Sequence, residues 1–184
     1  MMKLISRVLL FILGWRTTGG LPAGIKKCVM VAAPHTSNHD FYIARAACYA
    51  MNVKVKYLIK KSWMFFPMGL FFKATGALAV DRNKSSNMVN SIVELFNKSK
   101  ELHILISPEG TRKTARKWKT GFYYLALGAN VPIALSYLDY KKKIACIGPL
   151  IYPTGDFVRD MQPVLEFYRD ITPKNPQNYV LEIY

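Results

Sequence analysis

Acidic side chains are scarce in this chain of 184 residues: 11 Asp and Glu stand against 26 Lys and Arg, a formal net charge of +15. Such a surplus says nothing about fold but predicts attraction to anionic surfaces, whether nucleic acid, acidic lipid headgroups or phosphorylated substrates. Cysteine is nearly as sparse. Cys28, Cys48 and Cys146 are too few and too scattered for a disulfide framework, and read as reduced, mostly buried thiols of a cytosolic protein. There are three histidines and no His-Glu-x-x-His, and the cysteines lack ligand spacing, so the sequence predicts no metal site and no bound cofactor. Also missing are a Gly-x-Ser-x-Gly elbow, a Walker loop and a Gly-x-Gly-x-x-Gly turn, which argues against serine hydrolases, nucleotide hydrolases and dinucleotide enzymes. Internal repeats, low-complexity tracts and long polar linkers are absent as well.

Long apolar runs are lacking too, although 51% of the residues are hydrophobic. Residues 1–13 hold about ten apolar positions interrupted by Lys3, Ser6 and Arg7, well short of the ~20 needed to span a bilayer. The segment begins like a signal peptide, but no small-x-small cleavage site follows. It reads as a short helix in the membrane interface, with Lys3, Arg7 and Arg16 at headgroup level, or as a helix packed on the domain itself. Trp63-Met64-Phe65-Phe66-Pro67-Met68-Gly69-Leu70-Phe71-Phe72 is a second uncharged decad, flanked by Lys60, Lys61 and Lys73. Its aromatics point to every side of a helix, more than one buried stripe requires. Trp63, Phe65, Phe66, Phe71 and Phe72 are therefore candidates for membrane or acyl-chain contact. Greasiness combined with basicity favours a membrane surface containing anionic lipid over nucleic acid, and a peripheral or monotopic protein over a spanning one.

Residues 1–27 divide into the apolar helix and a glycine-rich loop from 14 to 27; residues 28–184 form the domain proper. Strands are expected over 28–33, 53–59, 77–80, 102–106, 131–138 and 143–147, and helices over 41–50, after Pro67, and over 88–100, 120–127 and 156–170. Alternation of this kind predicts an α/β domain around a largely parallel sheet flanked by helices. Ligands of such sheets gather at the carboxyl ends of strands, where His35, Asp81-Arg82 and the stretch 109–112 all fall.

His35 and Asp40 lie five residues apart in Pro34-His35-Thr36-Ser37-Asn38-His39-Asp40. A hydroxyl is a poor nucleophile at neutral pH and needs a base held beside it, for which His is the usual choice. A carboxylate on the other ring nitrogen fixes the tautomer, and Asp40, expected to cap the helix that follows, is placed to lean back onto His35. Glu109-Gly110-Thr111-Arg112-Lys113 offers cations on a turn suited to an anion, Gly110 allowing close backbone approach. Arg82 adds another guanidinium. The plain alternatives are a chance His-Asp spacing, a polar loop histidine at His39, and a solvated basic loop continuing through Arg116, Lys117 and Lys119.

Taken together, these blocks resemble the glycerophospholipid acyltransferase family, of which lysophosphatidic acid acyltransferase is the best-known member. The family's Asn-His-x-Ser-x-x-Asp block stands here as Pro34 to Asp40 with Pro for the leading Asn. A Gly followed six residues later by Arg occurs as Gly76 and Arg82. Phe-Pro-Glu-Gly-Thr-Arg occurs as Ser107-Pro108-Glu109-Gly110-Thr111-Arg112, and Val-Pro-Ile as Val131-Pro132-Ile133. The resemblance implies that His35 is the base and Asp40 its partner, and that Arg82, Glu109 and Arg112, with Gly110 and Thr111 in the same loop, bind the acceptor phosphate. It further implies an acyl thioester donor, from coenzyme A or acyl carrier protein, and a lysophospholipid acceptor at the cytoplasmic face of a membrane. An acylated amino acid with a free hydroxyl competes as acceptor. A non-enzymatic basic binder of membranes or nucleic acid explains the charge but not the order of the blocks.

Overall fold

The computed structural model describes residues 1–80, 85–115 and 117–183, with backbone alone at 85–87. Seven strands form one sheet: β1 (Arg16–Gly19), β2 (Lys27–Ala32), β3 (Lys56–Lys60), β4 (Ala77–Val80), β5 (Leu102–Ile106), β6 (Ile133–Asp139) and β7 (Ile144–Ile151). Their order is β1-β7-β6-β2-β5-β3-β4, parallel throughout except for the β6–β7 hairpin. Helices α1 (Met2–Ile12), α2 (His39–Ala50), α3 (Met68–Ala74), α4 (Ser85–Lys98), α5 (Gly121–Gly128) and α6 (Phe157–Tyr168) flank it.

The central strand β2 explains the layering. Cys28, Val29, Met30 and Val31 are all completely buried, the mark of a strand covered on both faces. Because side chains alternate, Val29 and Val31 join the cluster containing Phe96 of α4, Phe122 and Leu125 of α5, and Met161 and Tyr168 of α6. Cys28 and Met30 face the opposite layer, with Cys48 of α2. Leu10 of α1 packs there on Ala46, Ala47 and Ala50 of α2. The expected α/β architecture is what the chain adopts.

Three local expectations change. The expected loop over 14–27 contains β1, a short, fully exposed polar edge strand with no hydrophobic period to announce it. The second strand begins at Lys56, because Val53 and Val55 are consumed as core residues before pairing starts. The N-terminal helix packs on the domain through Ser6 and Leu10, while Leu4, Ile5, Val8, Leu9, Phe11 and Ile12 remain exposed.

Parallel pairing of β2, β3, β4 and β5 puts their carboxyl ends on one edge of the sheet. The residues after each of these strands share that edge, and so does the turn between β6 and β7.

Candidate active site

His35 lies three residues past β2, and Asp40 lies in the first turn of α2. The imidazole Nδ1 and Asp40 Oδ2 are 3.0 Å apart. Asp40 does not cap the helix as the sequence suggests. Asn38 occupies the cap position without a side-chain bond, and the Asp40 carboxylate turns back to organise the preceding loop. Its Oδ2 accepts the backbone N–H groups of Thr36 and Ser37, both at 2.9 Å, and its Oδ1 accepts the Tyr140 hydroxyl at 2.6 Å. Burial alone would push this carboxyl up, but the bonds from His35, Tyr140 and Ser37 together hold it below the usual carboxylate value. An ionised acceptor beside Nδ1 selects the tautomer with the proton on Nδ1, which leaves the Nε2 lone pair to act as a base. The His35 side chain is 24% exposed and that of Asp40 is 7% exposed, so the base reaches solvent while its partner does not.

Glu109 follows β5, and its Oε1 accepts the His35 backbone N–H at 3.0 Å. This one bond joins two loops 74 residues apart. The carboxylate is buried, and among the described residues its Oε2 has no partner. Burial is the largest influence and pushes the group up to about 7, only partly opposed by backbone N–H bonds from Glu109 itself and His35. Glu109 thus lies beneath the loop, whereas Thr111 and Arg112 are exposed on top of it. The Thr111 hydroxyl accepts the Lys113 N–H, which tightens the turn. Gly110 has φ +65, and a Cβ there would lie 3.0 Å from the end of the Lys119 side chain. The left-handed backbone favours glycine here, and the missing Cβ leaves room for the flexible end of Lys119 over the loop. Arg82 lies outside the described residues. Gly76, which opens the block leading to Arg82, has φ +89.

Of the aromatic candidates, Trp63, Phe65, Phe66 and Phe71 are exposed, Phe66 at 83%. Phe72 is half-buried, with Trp63 and Phe71 against its ring at centroid distances of 6.3 and 5.7 Å. The decad starts where β3 ends and so shares the edge that carries His35. His39, expected in the loop, is instead the exposed first residue of α2, and its backbone N–H reaches the Ser37 hydroxyl.

Three contributors escaped the sequence reading. Lys119 looked like one more charge on a solvated loop. Tyr140, at the hairpin turn, gave no signal. Asn175 lies in a C-terminal strap that crosses the His35 loop, its Nδ2 donating to Thr36 O at 2.8 Å and its backbone N–H to the Thr36 hydroxyl at 3.1 Å. The strap continues with Thr172 O accepting the Tyr140 N–H and Glu182 O accepting the Trp118 N–H, both at 2.8 Å.

An imidazole with one nitrogen unengaged among the described residues, a held carboxylate and a cationic turn on one sheet edge are together chemically able to take a proton from a hydroxyl near an anion. Comparison with known proteins places the chain in a family. No curated protein matches the chain significantly. Among solved structures it is similar to the 1-acyl-sn-glycerophosphate (LPA) acyltransferase PlsC from Thermotoga maritima, with a TM-score of 0.63 at 14% identity, covering 94% of this chain and 80% of that one. That likeness shows a shared fold. The model of the family described as Acyltransferase matches residues 19–135, the span that holds His35, Asp40 and Glu109, and the chain therefore belongs to the acyltransferase family.

Proposed function

We propose that the protein transfers a fatty acyl group from an acyl thioester, carried by coenzyme A or acyl carrier protein, to the free hydroxyl of a lysophospholipid, with 1-acylglycerol-3-phosphate as the acceptor. The observation that carries this reading is the His35–Asp40 pair joined through Glu109 to the loop of Arg112. One loop holds a base and the other an anion-binding cation, at a fixed separation. The acceptor phosphate docks on Arg112, with Arg82 as the second guanidinium, and its hydroxyl then points to His35 Nε2. The acceptor oxygen attacks the thioester carbonyl as its proton passes to Nε2. The tetrahedral intermediate collapses, the C–S bond breaks, and the imidazolium returns the proton to the leaving thiolate. Ester and free thiol are the products, and no acyl-enzyme forms. Asp40 stays ionised throughout and stabilises the imidazolium.

The acceptor and its product are lipids, which gives the exposed apolar surface a purpose. No described helix is long and apolar enough to cross a membrane. The end of α1, with Phe11 and Ile12 exposed, meets one margin of the site edge where β1 begins beside the β6–β7 turn, and Trp63, Phe65 and Phe66 occupy the other. Lys141, Lys142 and Lys143 form the hairpin turn between them, and Lys143 Nζ donates to Leu13 O at 3.0 Å. Docking this edge on an anionic bilayer, at the cytoplasmic face, brings His35 to the lipid headgroups.

Product mass spectrometry after incubation with acyl donors and a panel of lysolipids and acylated amino acids tests the reading. Diacylglycerol phosphate formed in preference to every other product is expected. Acylation of the amino-acid acceptors alone would replace the acceptor, and no ester from any donor would overturn the proposal.

A further inference from the structure

Tyr140 belongs to none of the sequence blocks, yet it supplies the only donor to Asp40 Oδ1 seen among the described residues. His35, Thr36 and Ser37 all bond the other oxygen. The torsion that turns a carboxylate about its own bond is broad and nearly two-fold. Donors on one oxygen alone therefore do not define the plane of the carboxylate beside the imidazole. A short O–H bond to the second oxygen does, and it also satisfies an atom that burial would otherwise leave without a donor. Burial and the Asp40 charge both hold the Tyr140 phenol well above its ordinary value, so it remains a donor.

What holds Tyr140 comes from two distant parts of the chain. Its backbone N–H is fixed to Thr172 O in the C-terminal strap. Its ring meets Trp15 edge-on, with centroids 5.0 Å apart and an interplanar angle of 90°. Trp15 is buried, and its backbone N–H donates to Leu10 O at 2.8 Å, at the one apolar residue by which α1 is buried in the domain. An unbroken line of contacts runs from α1 through Trp15, Tyr140 and Asp40 to His35.

We propose that Tyr140 is a positioning residue for the catalytic carboxylate and that Trp15 holds its ring in place, making the N-terminal helix a structural part of the catalytic centre. The proposal rests on His35 and Asp40 being the working pair. Tyr140→Phe keeps the ring and its contact with Trp15 and removes only the hydroxyl. It is expected to lower kcat about tenfold while leaving KM for donor and acceptor unchanged. In an Asp40→Ala background the same change is expected to have almost no further effect, because the group through which it acts is gone. Trp15→Leu produces a smaller loss of the same kind.

A second readout needs no substrate. In ligand-free protein the Thr36 and Ser37 amides report on the carboxylate they donate to, and Tyr140→Phe is expected to raise their hydrogen-exchange rates about tenfold while the thermal melt stays cooperative. Wild-type exchange at both amides in folded Tyr140→Phe protein overturns the proposal whatever the activity. An equal loss of kcat with and without Asp40 overturns it too, since that is the signature of a merely structural role. Failure of the underlying reading looks different: no ester from wild type, or full turnover by His35→Ala, with the amides still responding to Tyr140→Phe.

Discussion

His35 and His103 belong to adjacent parallel strands and sit at opposite ends of the sheet. His35 follows the carboxyl end of β2, and His103 is the second residue of β5, near its amino end. The His103 ring is buried, with Nδ1 3.1 Å from Lys54 O and Nε2 3.1 Å from Ile25 O. Both of its nitrogens face backbone acceptors, so the ring ties two loops to the strand and has nothing left to offer a substrate. His35 has one nitrogen held by a carboxylate and the other unengaged among the described residues. What separates the structural His103 from His35, the proposed base, is what occupies the second nitrogen, and not the residue or its strand.

Exchanging the two roles should therefore fail in opposite ways. Asp40→Asn should lower kcat by roughly 100- to 10,000-fold, because the imidazole loses the charge that selects its tautomer. His103→Ala should leave kcat near wild type and cost on the order of 2 kcal/mol of stability, because the buried ring and its hydrogen bonding to the loop carbonyls are lost. Steady-state kinetics and denaturant unfolding on both variants check this. A large loss of turnover in folded His103→Ala protein would erase the contrast.

Glu109 sharpens the comparison from the side of the carboxylates. Its folded value, about 7, lies above the ordinary 4.5, so the folded protein binds an extra proton between those limits. The stabilisation this gives is present in full below about pH 4.5 and is lost as pH rises through about 7. Asp40 is held low and has the opposite sign, stabilising above its ordinary value near 3.8 and losing that effect as pH falls. Glu109→Gln, which keeps an oxygen for the His35 N–H, should flatten the decline between pH 4.5 and 7 and raise Tm above neutrality relative to wild type. Thermal melts across that range decide it, and an unchanged slope would count against a protonated Glu109.

Much of this was legible in the sequence, for identifiable reasons. The strands at 77–80 and 102–106 have the expected limits because each is a short apolar run closed off by Gly76 or Ser107-Pro108. The His35–Asp40 pair was visible because both partners lie in one local segment. Tyr140 and Asn175 were not, since their contacts with that segment span 100 and 139 residues and leave no periodicity behind. Burial of Glu109 was equally hidden, because an acid inside a basic loop reads as solvated. The edge strand β1 escaped because it has no inward face to pattern.

Two smaller effects would separate the proposed anion-binding turn and the proposed lipid-facing rim from the proposed base. Arg112→Ala should raise the acceptor KM with little change in saturation by the donor, as initial rates against each substrate would show. An equal rise for both would place Arg112 on the donor side or make it structural. Serine at the exposed Phe65, Phe66 and Phe71 should weaken the salt-resistant part of binding to anionic vesicles, leaving the salt-sensitive part to the lysines. Tight binding to neutral vesicles by the folded triple variant would remove this segment as an anchor.

The central claim is that His35 drives direct acyl transfer, and a single reaction followed by intact-protein and product mass spectrometry tests it. Wild type and His35→Ala are each mixed with acyl thioester and 1-acylglycerol-3-phosphate. The account predicts ester and free thiol in equal amounts from wild type, no acyl adduct on the protein, and almost no ester from folded His35→Ala. A stable acyl-enzyme that turns over to product, or ester formation by His35→Ala at the wild-type rate, would contradict it.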